Sequence, residues 1–146
     1  MENTVKLRII LEKPPPGVDF ALQEGKGNNY KTVQHQKSGS GDLSFEFSVK
    51  LKGKEEKEPD FSGPFVQGPA NNRFVYIGVG TYAGQVSSPW SRRLKIPLSG
   101  ITLEMVRKVV EDARLLETRV PGTGKDGGPN CATVKPFGGW QVVNAV

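Results

Sequence analysis

The segment from Val120 to Trp140, VPGTGKDGGPNCATVKPFGGW, gathers six glycines, three prolines, two lysines and the only cysteine of the chain. Its Gly124–Lys125 pair raises phosphate binding first. A phosphate-cradling loop needs GxxxxGK followed by Ser or Thr, so that backbone amides wrap the phosphates and a hydroxyl reaches magnesium. Here the first glycine position is occupied by Arg119, the hydroxyl position by Asp126, and Gly127, Gly128 and Pro129 prevent a helix from following. The reading fails on each of these three counts. GVGTYAG, Gly78 to Gly84, has GxGxxxG spacing where a dinucleotide fingerprint requires GxGxxG opening a helix, and Pro89 arrives too soon for one.

Nucleophilic chemistry would need Cys131 activated by His35, with Asp60 or Asp126 orienting the imidazole. A lone cysteine beside Ala132 reads more simply as a small core hydrophobe, and His35 within VQHQK as a solvated side chain. One histidine and one cysteine leave a transition-metal site dependent on carboxylates, and no spacing supplies them. No cofactor is expected. The remaining candidates are polar residues on two Gly/Pro-rich loops, 60–68 and 125–131: Asp60, Gln67, Lys125, Asp126 and Asn130. Aromatic side chains (Phe61, Phe65, Tyr76, Trp90, Trp140) could add a pocket, and Arg73, Arg92 and Arg93 could pair with an anion. The competing reading makes those aromatics core and sets the arginines on a wet sheet face. The ligand-binding candidates are therefore Asp60, Gln67, Arg73, Tyr76, Lys125, Asp126 and Asn130.

The elements that must position them are mostly strands. TVKLRIILE alternates Val5, Leu7, Ile9 and Leu11 against charged neighbours, and the prolines of KPPPG stop it. Phe20 and Leu22 continue the alternation, and a polar strand covers Tyr30 to His35. LSFEFSVKL is the cleanest two-faced strand, with Leu43, Phe45, Phe47, Val49 and Leu51 on its apolar side. The charged run from Lys52 to Asp60 reads as a solvated loop, and DFSGPFVQGPANN as a structured loop. RFVYIGVG is apolar on both faces and predicts a central strand, with Gly78 and Gly80 marking a bulge or a close backbone approach. RRLKIPL turns Leu94, Ile96 and Leu98 inward. One helix is predicted over about 102–114, capped by Thr102, with Leu103, Val106, Val110 and Ala113 on one face and Val109 beside it. LLETRV, CATVK and WQVV supply short final strands. The expected architecture is α+β, one domain over 1–146: a predominantly antiparallel β-sheet, open or partly closed into a barrel, with one helix packed on it.

Composition bounds the function classes. The chain has 146 residues, enough for one real core, and carries 18 glycines and 11 prolines, which suits many turns between strands. No apolar run reaches the roughly 20 residues needed to span a bilayer, so no membrane association is expected. The start of the chain lacks the features of a signal peptide, and a single cysteine cannot form an intrachain disulfide. A cytoplasmic address follows as the expectation. The net charge of +5 is spread among acids, as in KLKGKEEKEPD, without a basic stripe interleaved with aromatics, so nucleic acid is disfavoured as a partner.

The order of four blocks, DFSGPFVQG, RFVYIGVG, RRLKIPLSGI and GGPNCATVKP, resembles a bacterial family of small single-domain proteins of unknown function, over about Val5 to Pro136. The resemblance implies a bacterial, intracellular protein and assigns no catalytic residues. It also directs attention to the Asp60–Gly68 and Asp126–Lys135 segments as neighbours. The leading expectation is a binding or interaction module without catalytic activity, for a small anionic ligand or a protein partner, with homodimerisation through an edge strand open to it. The alternatives are a small enzyme built on the 60–68 and 125–131 loops, and a weak nucleic-acid binder.

Overall fold

The computed structural model describes residues 4–26, 29–52, 59–70, 72–80, 86–87, 93–122, 132–133 and 137–144. Lys125, Asp126, Asn130 and Cys131, with Trp90 and Arg92, lie outside them, as does most of the Asp126–Lys135 segment.

Strict alternation puts the first strand, β1 (Thr4–Glu12), at the centre of a five-stranded sheet. Its Val5, Leu7, Ile9 and Leu11 are fully buried. The polar face of the strand points away from the core, as a period of two requires. β1 pairs antiparallel with β4 (Leu43–Lys52), placing Leu7 opposite Phe47 and Ile9 opposite Phe45. It pairs parallel with β9 (Arg114–Pro121), placing Leu11 opposite Val120. β5 (Asp60–Ser62) and β11 (Gln141–Asn144) form the two edges, giving the order β11-β9-β1-β4-β5.

A second sheet runs in the order β10-β8-β6-β2-β3-β7. It contains β2 (Asp19–Lys26), β3 (Asn29–Lys37), β6 (Phe74–Val79), β7 (Val86–Ser87), β8 (Arg93–Pro97) and β10 (Ala132–Thr133). β6 is internal, between β8 and β2, as its apolar composition predicts. Phe20, Leu22, Val75, Ile77, Leu94 and Ile96 turn from this sheet into the same core as the inward residues of the first sheet. The barrel alternative is thereby corrected: two separate sheets enclose one core, neither closed on itself, and each large apolar side chain buried there contributes about 1.5–3 kcal/mol.

Two glutamines of β3 join the layers. A bulge between Ala21 and Leu22 leaves Gln34 as the extra residue, at φ 48°. Gln34 and Gln36 donate from Nε2 to the carbonyls of Glu46 and Ser44 on β4, beyond the stretch that β5 covers. Side-chain amides thus occupy part of a strand edge that would otherwise be open.

The helix α1 (Leu103–Asp112) starts where Thr102 Oγ1 accepts from the Met105 amide at 3.2 Å, and ends at Ala113, whose φ of 52° turns the chain directly into β9. It lies against β9, β1 and β11. Its buried stripe is Val106 and Val109, whereas Val110 is 44% exposed, so the expected face is rotated by about one residue.

Candidate functional site

The structure separates the sequence candidates into a structural pair and a face. Asp60, at the start of β5, and Arg73, just before β6, form a two-point ion pair: Nε to Oδ1 at 2.8 Å and Nη2 to Oδ2 at 3.1 Å. The Phe61 amide adds a third hydrogen bond to Oδ1 at 2.9 Å, and Arg73 Nη1 reaches the Gly68 carbonyl. The hydrogen bond from Arg73, reinforced by the Phe61 amide and the nearby positive charges, holds the Asp60 carboxyl below its ordinary range against the opposing effect of burial. Both charged groups are spent on closing the 60–73 loop. Asp60 is therefore not the partner of His35, whose Nε2 lies 2.6 Å from Asp19 Oδ1 across the β2–β3 pair. The solvated reading of His35 is corrected by the same contact.

Gln67 and Tyr76 instead belong to the outer face of the second sheet, the side turned away from the shared core. Directly paired residues of antiparallel strands share a face. Tyr76 is paired with Lys95 and Gly78 with Arg93, so these four lie on the side opposite Ile77 and Leu94. One step beyond the Leu22–Ile77 pair, Gln23 of β2 joins them, with Thr32 of β3 opposite it. Gln67 is bridged antiparallel to Phe74, with Gln67 N to Phe74 O at 2.8 Å and Phe74 N to Gln67 O at 3.1 Å. That bridge sets the glutamine on the same face as Phe74 and Tyr76.

The face is an aromatic floor carrying cations. The rings of Phe74 and Tyr76 lie 4.9 Å apart, and Tyr30 meets Tyr76 edge-on at 5.3 Å. The Arg93 guanidinium sits 4.2 Å from the Tyr30 centroid and 5.4 Å from that of Tyr76, and its Nε donates to Gln23 Oε1 at 2.7 Å. The Lys95 ammonium stands 4.1 Å from the Phe74 centroid. Ring quadrupoles attract such cations, more strongly where water is reduced. Arg93 is 2% exposed and Gln23 and Thr32 are fully buried, so the wet-face reading of the arginine is overturned. Lys95, Tyr76, Tyr30 and Gln67 are part-exposed and form the accessible layer.

The aromatic candidates divide differently. Phe61 and Trp140 are core, and Phe65 packs at its margin against Phe47 at 5.4 Å. Trp140 also donates from Nε1 to the Pro97 carbonyl at 2.9 Å, tying the end of β8 to the approach to β11. Sequence reasoning missed Tyr30, Phe74 and Lys95. The period-two pattern did contain Phe74 with Tyr76, and Arg93 with Lys95, but the pairing that joins the two strands was not visible. Among the described residues, no three His, Cys, Asp or Glu side chains are grouped as a metal site, and no helix is long and apolar enough to cross a membrane.

Two antiparallel-rich sheets around one core, a packed helix and a cation–aromatic outer face define the described residues as a small α+β protein. The chain belongs to the family of unknown function DUF5990, which it matches over residues 5–143. No curated protein and no solved structure matches it.

Proposed function

We propose that this chain is a binding module without catalytic activity, and that it takes a small anionic ligand on the outer face of the second sheet. The observation that carries this reading is Lys95: its ammonium is held over the Phe74 ring, and among the described residues no carboxylate pairs with it. A cation–π contact uses one side of an ammonium and leaves its other hydrogens directed at solvent or an anion. Arg93 beneath adds positive potential, and Tyr30 and Tyr76 add aromatic area beside it. A bacterial, cytoplasmic setting belongs to the same reading; the single cysteine, which cannot form an intrachain disulfide, suits the cytoplasmic part of it.

Thermal melting with a panel of small carboxylates and phosphates tests it, with sodium chloride at matched ionic strength as the control. A ligand for the folded state raises the melting temperature saturably by mass action. At least one organic anion is expected to do so, and Lys95→Met is expected to abolish the shift. An unshifted melting temperature across the panel, or a shift that survives Lys95→Met, overturns the proposal.

A further inference from the structure

Among the described residues of this face, the Gln67 carboxamide carries a buried donor without a partner. Its Nε2 is buried and has no acceptor. Buried donors are almost always paired, because an unmade hydrogen bond leaves the full desolvation cost uncompensated. The backbone that carries the amide is firmly held. The Gln67–Phe74 bridge fixes its backbone, Gly25 N to Pro64 O at 3.0 Å ties the same loop to β2, and Arg73 binds the neighbouring Gly68 carbonyl. The carboxamide lies directly over Gly25, so close that a Cβ there would come within 2.5 Å of Nε2. Gly25 is opposite Tyr30 and Gln67 is opposite Phe74, which puts the donor beside both rings of the floor. Lys95, opposite Tyr76, is on the far side of β6 from Gln67, opposite Phe74: two strand spacings across and two residues along, or about 12 Å at the backbone, a span that one organic anion can bridge.

Building on the anion-binding reading, we infer that Gln67 Nε2 is the second recognition point of this site. The ligand is accordingly an organic anion with a carbonyl-type acceptor near its charged group, and not a bare inorganic anion. Lys95 takes the charge, Gln67 donates to the neutral oxygen, and the part-exposed Tyr30 and Tyr76 rings take the apolar part between or beside them. A donor carried on a backbone already held in place costs less ordering on binding than one on a free loop, so its effect appears as selectivity for the acceptor.

Two probes separate the terms. Benzoylglycine joins an aromatic ring, an amide carbonyl and a carboxylate, while 4-phenylbutyrate keeps the ring, the length and the carboxylate with methylenes in place of the amide. Calorimetric titration of the native chain is expected to give tighter binding of benzoylglycine by about five- to tenfold. Gln67→Leu and the near-isosteric Gln67→Glu, which removes the donor without changing the volume, are each expected to abolish that preference. Melting curves establish that each variant is folded, and either folded variant decides the point. Lys95→Met is expected to weaken both probes alike. Equal affinities in the native chain that still depend on Lys95, or a preference that survives the loss of the Gln67 donor, overturn the role of Gln67 and leave the anion site standing. Binding of neither probe at millimolar concentration, or binding indifferent to Lys95, overturns both.

Discussion

The guanidinium of Arg73 grips the carboxylate of Asp60 at two points, 2.8 and 3.1 Å, from opposite ends of a loop thirteen residues apart in sequence. Both partners are about four-fifths buried as side chains, so the pair is worth more than a surface ion pair. The pair closes the loop that carries Gln67, and Arg73 extends the grip to the Gly68 carbonyl.

Acid stability should report on this pair. The Asp60 carboxyl is depressed chiefly by the Arg73 hydrogen bond, so its stabilising contribution is fully present above the unfolded-state value. It is lost as pH falls through the lower folded-state value, a window that begins at about pH 4 and runs downward. Asp60→Asn is expected to cost about 1–3 kcal/mol at neutral pH, because Arg73 is left without its counter-charge. The same variant should lose less stability than the native chain between pH 4 and pH 2. Urea unfolding at a series of pH values checks both parts, and parallel acid limbs for the two proteins would show that the pair has no such role.

Arg93 offers a different test. Its side chain combines a hydrogen bond to buried Gln23 with stacking on Tyr30, and only a planar guanidinium meets both demands. Arg93→Lys keeps the charge but not the fork or the flat face. It is expected to destabilise the chain by about 2–3 kcal/mol, the scale of a buried polar group left poorly paired. Chemical denaturation of the two proteins measures the difference, and equal stability of Arg93→Lys and the native chain would refute the argument.

The sequence makes the layers legible and conceals their assembly. Alternation in TVKLRIILE and LSFEFSVKL sufficed for β1 and β4, because each has one buried and one wet face. RFVYIGVG announced an internal strand through its apolar faces, and Thr102 announced the helix start. The parallel pairing of β1 with β9, more than a hundred residues apart, carries no local signature. The same holds for the site. Asp60, Arg73, Gln67 and Tyr76 stand out by residue type, yet the first two neutralise each other while the others lie on the outer face of the second sheet. That division depends on register between strands, which fixes the side each residue faces and cannot be read from any one of them. Val110 shows the limit within a single helix: periodicity places it beside Val106, and packing on the sheet buries Val106 and Val109 in its stead.

The helix cap supplies a prediction independent of the site. Thr102 satisfies the amide of Met105, one of the donors that the first turn cannot pair internally. Thr102→Ala is expected to cost about 1 kcal/mol, whereas Thr102→Asp should be close to neutral. Thermal unfolding of both variants makes the comparison. An equal loss in both would mean that the hydroxyl contributes through something other than capping.

Two glycines should respond to alanine in different ways. At Gly68 the backbone has φ +87°, and a Cβ would meet the Asn72 carbonyl oxygen at 2.4 Å and the Phe74 ring at 2.6 Å. Neither the left-handed conformation nor a backbone oxygen yields easily, so Gly68→Ala should cost about 2 kcal/mol or more. At Gly25 the obstacle is only the flexible end of Gln67, at 2.5 Å from Nε2 and 2.7 Å from Oε1. Gly25→Ala should therefore push the carboxamide aside at about 1 kcal/mol, a cost set by side-chain displacement and not by backbone strain. Shortening the obstacle removes the conflict, so Gly25→Ala should cost less in a Gln67→Ala background than in the native one. No such coupling is expected between Gly68→Ala and Gln67→Ala, because the Asn72 oxygen remains in place. A double-mutant cycle by urea denaturation measures both couplings. A coupling near zero for Gly25 and Gln67 would mean that the carboxamide does not rest on β2, and would remove the geometric basis for Gln67 as a fixed donor.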